Sequence, residues 1–174
     1  IHIAEIGLFD CGTAKGIYEY LQEKKNLLDN DIVYTGIDNE KDKPIRHPEW
    51  LHYINGNSNE VYNQLEDSSQ HLIFVDGCHC FSHVVSDFFC YAPKVRTGGF
   101  IAFHDTGTHI KQYKDFQHGD KENPDAYISV RKALERIGLL DDEVAGRCHG
   151  FELIFDEVDE TNEAGGICVF KKLY

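Results

Sequence analysis

Short apolar runs alternate along this chain with segments whose apolar residues recur at helical spacing. The apolar runs predict strands, at 1–9, 32–38, 50–56, 71–76, 100–105, 151–158 and 166–173. Helical spacing predicts helices, at 16–28, 59–66, 81–92 and 125–137. Ser58 is the expected N-cap of the second helix, and Pro93 is expected to end the third. The pair Gly98 and Gly99 predicts a turn before the fifth strand.

The order of these elements predicts the fold class. Strands that alternate with helices form a parallel sheet with helices on both faces, here an α/β, Rossmann-like three-layer sandwich. The last two apolar runs flank the polar segment 159–166 and predict a C-terminal antiparallel hairpin. Residues 106–124 are polar and irregular, so we expect a long loop there. The whole chain, 1–174, is expected to form one domain.

Composition and charge exclude some classes of partner. The 174 residues are 41% hydrophobic and carry a formal net charge of −13, without a cluster of Lys and Arg that would hold a phosphate backbone. Nucleic acid is therefore not an expected partner. The apolar runs are shorter than the ~20 residues of a membrane helix, so we expect no membrane partner.

The cysteine and methionine content bears on the expected cellular location of the protein and on the extent of the chain. Six cysteines in a chain of this length are too few for a disulfide scaffold, and several lie in strand or helix patterns that would bury them as thiols. A reducing cytoplasm is the expected location. The chain has no methionine and opens directly in a strand, which is compatible with a missing N-terminal segment.

Polar residues end two predicted strands that follow one another along the chain. Asp76 ends the strand 71–76, and His104 with Asp105 ends the strand 100–105. In open parallel sheets, ligands bind outside the carboxyl ends of the strands, so polar side chains there are candidates for chemistry.

Four segments together resemble the class I S-adenosylmethionine-dependent methyltransferases, whose seven-stranded sheet ends in one antiparallel strand. The first segment, EIGLFDCGTA at 5–14, is similar to the family's glycine motif. The resemblance implies that Glu5, Gly7 and Gly12 lie at the cofactor, the glycines because a Cβ would collide with a closely approaching ligand or disfavour a positive φ. Cys11 stands where relatives usually have a further glycine.

The second and third segments complete the implied cofactor site. YTGIDN ends with a carboxylate, Asp38, which in the family accepts hydrogen bonds from the ribose hydroxyls. NGNSNE follows the third strand, where relatives contact the adenine, and the resemblance carries this role to Asn57 and Ser58. Asp76 is also expected at the cofactor.

The fourth segment, IFVDGCH with GGFIAFHDTG, is similar to metal-dependent small-molecule O-methyltransferases. The resemblance implies that Asp76, His104 and Asp105 bind a divalent metal, with Mg²⁺ or Mn²⁺ as the expected ions. His104 replaces the more usual carboxylate, and Cys78 replaces a residue that is often acidic. The catalytic base is expected to be His79 or, in second place, Asp76.

The resemblance therefore implies transfer of a methyl group from S-adenosylmethionine to a hydroxyl of a small acceptor. A divalent ion there would lower the pKa of the acceptor hydroxyl and orient it. Since related enzymes often form dimers, a homodimer is also compatible with this sequence.

Other functions remain open at this stage. The glycine turn and Asp38 also suit an NAD-dependent oxidoreductase of Rossmann type, although the full GxGxxG spacing is absent. A catalytically silent relative that serves as a binding module would keep the same fold. In the simplest interpretation, Asp76 and Asp105 only cap the elements that follow, and His104 is a buried histidine.

A last motif, Cys78, His79, Cys80 and His83, suggests a zinc site. Adjacent side chains point apart, and structural zinc sites normally combine two separated ligand pairs, of which the second is missing here. The sequence by itself therefore disfavours zinc.

Overall fold

The computed structural model of the protein describes residues 1–24, 31–39, 47–108, 111–112, 127–140, 147–158 and 165–174. The strands in these ranges are β1 (His2–Ile6), β2 (Val33–Asp38), β3 (Leu51–Asn55), β4 (Gln70–Val75), β5 (Val95–His104), β6 (Lys111–Gln112), β7 (Tyr127–Ile128), β8 (Arg147–Cys148), β9 (Phe151–Val158) and β10 (Gly166–Lys172). The α-helices are α1 (Gly12–Glu23), α2 (Ser58–Val61), α3 (Phe81–Tyr91) and α4 (Val130–Arg136). Short 3-10 helices cover Tyr62–Gln64 and Ala92–Lys94.

Eight of these strands form one mixed sheet in the order β3-β2-β1-β4-β5-β10-β9-β8. The first five strands in this order, β3-β2-β1-β4-β5, are parallel to one another. Strand β10 pairs antiparallel with β5 and with β9. The predicted fold class, a mostly parallel sheet with a C-terminal antiparallel hairpin, is confirmed, and the two-residue β8 is added at one edge. The chain builds outward from β1 to β3 and then returns to the other side of β1. In open α/β sheets such a reversal marks the edge at which ligands bind.

Two apolar clusters cover the two faces of the sheet. The larger contains buried residues of α3 and α4, such as Phe88 and Leu134, and the smaller contains Ala14 of α1. Neighbouring residues of β1 belong to different clusters, Ile3 to the smaller and Ala4 to the larger, because successive strand side chains point to opposite faces. Each fully buried large apolar side chain contributes about 1.5–3 kcal/mol of stability. Within the described residues, none of the helices has the length and apolar character needed to cross a membrane.

Three predicted helices differ in their bounds. The helix predicted at 59–66 is an α-helix only over Ser58–Val61 and continues as the 3-10 helix Tyr62–Gln64. Helix α1 begins at Gly12, earlier than predicted, and its predicted residues 25–28 lie outside the described residues. Its first turn, from Gly12 to Lys15, has no large apolar residue, so the apolar periodicity did not indicate it. Helix α4 begins only at Val130, because Tyr127–Ile128 pairs with Lys111–Gln112 as a short antiparallel ribbon. Most of the predicted loop, 109–110 and 113–124, also lies outside the described residues.

Two local predictions are wrong. The Gly98–Gly99 pair does not turn the chain, since β5 runs through it, and Gly98 takes up the register shift against β4 with a φ of 76°. Ser58 is not an N-cap, because Asn57 occupies that position and Ser58 is the first residue of α2. No side chain caps this short helix by a hydrogen bond.

Gly7 lets the ends of β1 and β4 pack backbone against backbone. Its φ is 85°, and a Cβ there would lie 2.5 Å from Gly77 Cα and still closer to the carbonyl oxygen of Asp76. Only glycine combines this backbone conformation with so close an approach. Gly7 is therefore needed for the protein's own packing, before any ligand is considered.

Glu5 is enclosed within the sheet. It is 1% exposed, and its Oε2 accepts a hydrogen bond of 2.5 Å from the hydroxyl of Tyr34 on β2. Burial raises the pKa of Glu5 from 4.5 to about 7, although the hydrogen bond from Tyr34 acts in the opposite direction. The folded protein therefore holds a proton that the unfolded chain has already lost.

We expect Gly7→Ala to destabilise the protein by about 2 kcal/mol or more, because the new Cβ meets backbone atoms that cannot turn aside. Gly16→Ala is the matched control, since no atom lies within 4 Å of a Cβ at this position of α1. Replacing a helical glycine by alanine should stabilise by roughly 0.5–1 kcal/mol. Urea denaturation measures both changes, and equal effects of the two variants would contradict the packing described for Gly7.

We expect Glu5 to make stability fall as pH rises. Between the unfolded pKa of 4.5 and the folded pKa of about 7, the folded state binds the proton that the unfolded state has released, so each rise in pH favours unfolding. Over this window the free energy of unfolding of wild-type protein should fall by about 3 kcal/mol relative to that of Glu5→Gln, whose side chain cannot titrate. Urea denaturation at several pH values measures the difference. Glu23→Gln, at an exposed position, is the control, and curves for Glu5→Gln that run parallel to wild type would refute the assignment.

Candidate functional site

Four polar side chains meet at the carboxyl edge of the sheet and form what we call the carboxylate–imidazole cluster: Asp76, His79, His104 and Asp105. Asp76 Oδ1 lies 3.1 Å from His79 Nε2 and 3.2 Å from His104 Nδ1. Asp105 Oδ2 lies 3.2 Å from His79 Nδ1, and Asp105 Oδ1 lies 3.4 Å from His104 Nδ1. Each imidazole thus bridges the two carboxylates.

Strand pairing and one unusual backbone conformation produce this convergence. The Asp76 amide donates a hydrogen bond of 2.8 Å to the Ile6 carbonyl, which extends the pairing of β4 with β1 to the cluster. His104 is the last residue of β5, and the next residue, Asp105, has a left-handed φ of 54°. Non-glycine residues seldom adopt this conformation, and such outliers concentrate at functional sites.

The cluster is charged and open to solvent. Burial would raise the pKa of Asp76, but hydrogen bonds with His104 and His79 outweigh burial and lower it. The hydrogen bond with Asp76 also raises the pKa of His104, because it stabilises the protonated ring. The side chains remain partly exposed, from 16% for Asp105 to 43% for His104. Carboxylate oxygens and imidazole nitrogens at this spacing fit a divalent cation such as Mn²⁺ or Mg²⁺.

A second group of side chains, the thiol–imidazole cluster, lies at the start of α3 and consists of Cys78, Cys80 and His83. The two sulfur atoms are 3.1 Å apart. His83 Nδ1 lies 3.0 Å from Cys80 Sγ and 3.1 Å from Cys78 Sγ. The sequence argument that neighbours point apart applies to His79, which joins the other cluster. With His79 directed at Asp76 and Asp105, Cys78 and Cys80 contact each other and His83.

The loop between β1 and α1 begins at Gly7, at the carboxyl edge of the sheet. Phe9 and Cys11 both have left-handed backbone conformations, with φ of 47° and 61°. Asp38 at the end of β2 holds this loop, because its Oδ2 accepts hydrogen bonds from the amides of Leu8 (2.7 Å) and Phe9 (3.2 Å). Cys11, which stands at the usual glycine position, is buried at the N-cap of α1.

The residues expected at the adenine have different surroundings. Asn57 is exposed, and its Oδ1 accepts a hydrogen bond of 2.5 Å from Asn39 Nδ2. Ser58 instead faces α3, where its hydroxyl donates to Oδ1 of the buried Asp87 (2.5 Å) and its carbonyl accepts from the Tyr91 hydroxyl (2.8 Å). Sequence reasoning missed Asp87, although a lone carboxylate among apolar residues of a predicted helix was a signal for a buried polar contact.

The structure brings most of the predicted site residues to one edge of the sheet. Gly7 and Asp38 lie around the loop after β1, and all three predicted metal ligands meet in one cluster. Glu5 and Ser58 are the exceptions, because the carboxylate of Glu5 is buried against Tyr34 and the hydroxyl of Ser58 bonds to the buried Asp87. Cofactor and metal contacts of individual residues stay predictions. The histidines and aromatics of the predicted long loop, at 109, 113, 116 and 118, lie outside the described residues.

A family model described as a methyltransferase domain matches residues 10–106, more than half of the chain. The matched segment includes Asp38, Asn57 and the entire carboxylate–imidazole cluster. A comparison with curated proteins found no match.

Solved methyltransferase structures share the fold at low sequence identity. TomG from Streptomyces achromogenes, an O-methyltransferase of tomaymycin synthesis solved with S-adenosylmethionine, is 14% identical with a TM-score of 0.57, over 99% of this chain and 73% of TomG. An S-adenosylmethionine-dependent methyltransferase from Methanosarcina mazei is 15% identical with a TM-score of 0.58, over 99% and 92%. MycE of the mycinamycin pathway, solved with Mg, S-adenosylhomocysteine and mycinamycin VI, is 18% identical with a TM-score of 0.58. The match covers 99% of this chain but only 45% of MycE. The chain belongs to this methyltransferase family and has the fold of the class I S-adenosylmethionine-dependent methyltransferases.

Proposed function

We propose that this protein transfers a methyl group from S-adenosylmethionine to a hydroxyl of a small acceptor, with a divalent metal held by Asp76, His104 and Asp105. The observation that carries the proposal is the convergence of these side chains at the ends of adjacent parallel strands, where His104 Nδ1 lies 3.2 Å from Asp76 Oδ1 and 3.4 Å from Asp105 Oδ1. This is the edge at which open α/β sheets bind ligands. The family match supports methyl transfer over the oxidoreductase alternative.

The cofactor is proposed to lie over the ends of β1, β2 and β4. In this proposal the cofactor lies above the packed ends of β1 and β4, at the point where the strand order reverses, so the sulfonium would lie next to the carboxylate–imidazole cluster. Asp38 is proposed to accept hydrogen bonds from the ribose hydroxyls. A carboxylate offers about four acceptor sites, so Asp38 can hold the loop through Oδ2 and bind ribose as well.

The adenine end of the cofactor is assigned to Asn57, which is exposed at the start of α2. Ser58 is proposed to act indirectly, since its hydroxyl and carbonyl connect α2 to Asp87 and Tyr91 of α3. Gly12, at the first position of α1, is also proposed to lie at the cofactor; its amide donates a hydrogen bond of 2.9 Å to Asp10 Oδ1.

The acceptor hydroxyl must lose its proton and lie about 3 Å from the methyl carbon. A divalent ion bound here would lower the pKa of that hydroxyl and orient it. Of the two candidate bases, the environment favours His79, because the lowered pKa of Asp76 keeps this carboxylate charged and a poor proton acceptor. Both ring nitrogens of His79 contact carboxylates, so one contact has to open before the ring accepts a proton.

We expect the protein to bind S-adenosylhomocysteine but not NAD in calorimetric titrations. Asp38→Asn should weaken S-adenosylhomocysteine binding about tenfold or more, because hydrogen bonds to a charged acceptor contribute about 1.5–3 kcal/mol. Asp31→Asn is the control, since Asp31 precedes β2 at the opposite edge of the sheet. Binding of NAD in place of S-adenosylhomocysteine would refute the methyltransferase proposal.

We expect Mn²⁺ to bind one site, and Asp105→Asn to reduce the affinity about tenfold or more, since a charged ligand is replaced by a neutral one. Asp10→Asn, at an exposed carboxylate of the neighbouring loop, should leave the affinity unchanged. Turnover is followed as release of S-adenosylhomocysteine with a panel of phenols and catechols. If Asp76→Ala turns over like wild type, the metal-centred mechanism is wrong. If wild-type protein binds cofactor and Mn²⁺ but shows no turnover, the result would favour a catalytically silent relative.

A further inference from the structure

The thiol–imidazole cluster has the composition and geometry of a zinc site. Its three donor atoms, Sγ of Cys78, Sγ of Cys80 and Nδ1 of His83, lie within 3.1 Å of one another. Tetrahedral zinc, at ~2.3 Å from sulfur and ~2.0 Å from nitrogen, separates such donors by about 3.5–3.8 Å. A change of a few tenths of an ångström per side chain is therefore enough to admit the ion.

Hydrogen bonding explains this convergence poorly. A thiol is a weak donor and a weak acceptor, so contacts among two thiols and one imidazole stabilise little. A cation among the three atoms would supply the missing attraction. The position of Cys80 also supports a metal site. Cys80 is the N-cap of α3, and the positive end of the helix dipole favours the thiolate form that binds a metal.

We propose that Cys78, Cys80 and His83 bind a zinc ion, distinct from the metal proposed for the carboxylate–imidazole cluster. Three protein ligands leave the fourth tetrahedral position to water or another small ligand. Thiolate and imidazole donors select zinc over Mg²⁺, which prefers oxygen. The two clusters therefore differ in the metal that they take.

The consequence of zinc binding concerns the segment that carries His79. Cys78 and Cys80 flank His79, whose side chain lies on the other side of the backbone and contacts Asp76 and Asp105. An ion that holds both cysteines to α3 fixes the backbone on each side of this histidine. The zinc ion is thus a positioning device for the neighbouring cluster, and its binding requires neither S-adenosylmethionine nor an acceptor.

The test uses the full chain, reduced and stripped of metal, in excess Mg²⁺ so that the carboxylate–imidazole cluster is occupied. Zn²⁺ is titrated in competition with a chromophoric chelator, and Co²⁺ is added separately to record thiolate-to-cobalt charge-transfer absorption. We expect one Zn²⁺ per chain and a charge-transfer band with Co²⁺. Cys78→Ser and His83→Gln should each weaken Zn²⁺ binding by about 100-fold or more, since even groups outside the ligand sphere contribute 10–100-fold.

Matched controls separate this site from its surroundings. Cys90→Ser changes another half-buried thiol of α3 and should leave Zn²⁺ affinity unchanged. Asp105→Asn should keep the cobalt–thiolate band even if it abolishes Mn²⁺ binding, so failure of the methyl-transfer proposal and failure of the zinc proposal can be told apart. Circular dichroism verifies that each variant is folded.

Three results would overturn the zinc proposal. The first is folded, reduced protein that binds no Zn²⁺. The second is Zn²⁺ binding that Asp105→Asn removes and Cys78→Ser does not, which would assign the ion to the carboxylate–imidazole cluster. The third is a Cys78–Cys80 disulfide. Before reduction, the protein would then have a mass lower by two hydrogens and both cysteines would be unreactive toward thiol reagents; after reduction, it would bind no metal.

Discussion

The close packing of Gly7 against the backbone of Asp76 and Gly77 is the constraint on which this edge of the protein depends. It joins the ends of β1 and β4 at the point where the strand order reverses, so that the loop before α1 and the segment before α3 lie side by side. A side chain at position 7 would push the two strand ends apart. The proposed cofactor site and the carboxylate–imidazole cluster would then lose their common support.

Strand-end geometry also explains how a few residues serve two chemically different clusters. The short segment from Asp76 to Cys80 bends at Gly77 and again at Cys80, where α3 begins, and its side chains divide between the two clusters. His79 joins oxygen ligands, and the cysteines on either side of it join His83. Left-handed conformations at Cys11 and Asp105 add strain at the same edge, and the packed core on both faces of the sheet offsets its cost.

The fold class followed from the sequence because its determinants are local. Apolar runs and helical spacing decide which segments become strands and helices, and right-handed crossovers leave few ways to connect them. The same reasoning predicted that Asp76, His104 and Asp105 meet, since the carboxyl ends of adjacent parallel strands lie at one edge. Local patterns were misleading where strands tolerate irregularity, as at Gly98, or where the first turn of a helix has no large apolar residue, as in α1.

Sequence alone thus determined the order of the elements, the edge at which polar side chains collect and the chemical types present there. Tertiary structure decided which of these side chains touch. Ser58 bonds to Asp87 and not to its own helix, Glu5 is enclosed with Tyr34, and Cys78 and Cys80 meet His83. Such contacts depend on strand register and on the packing of separate elements to within an ångström, and neither is encoded in the periodicity of one segment.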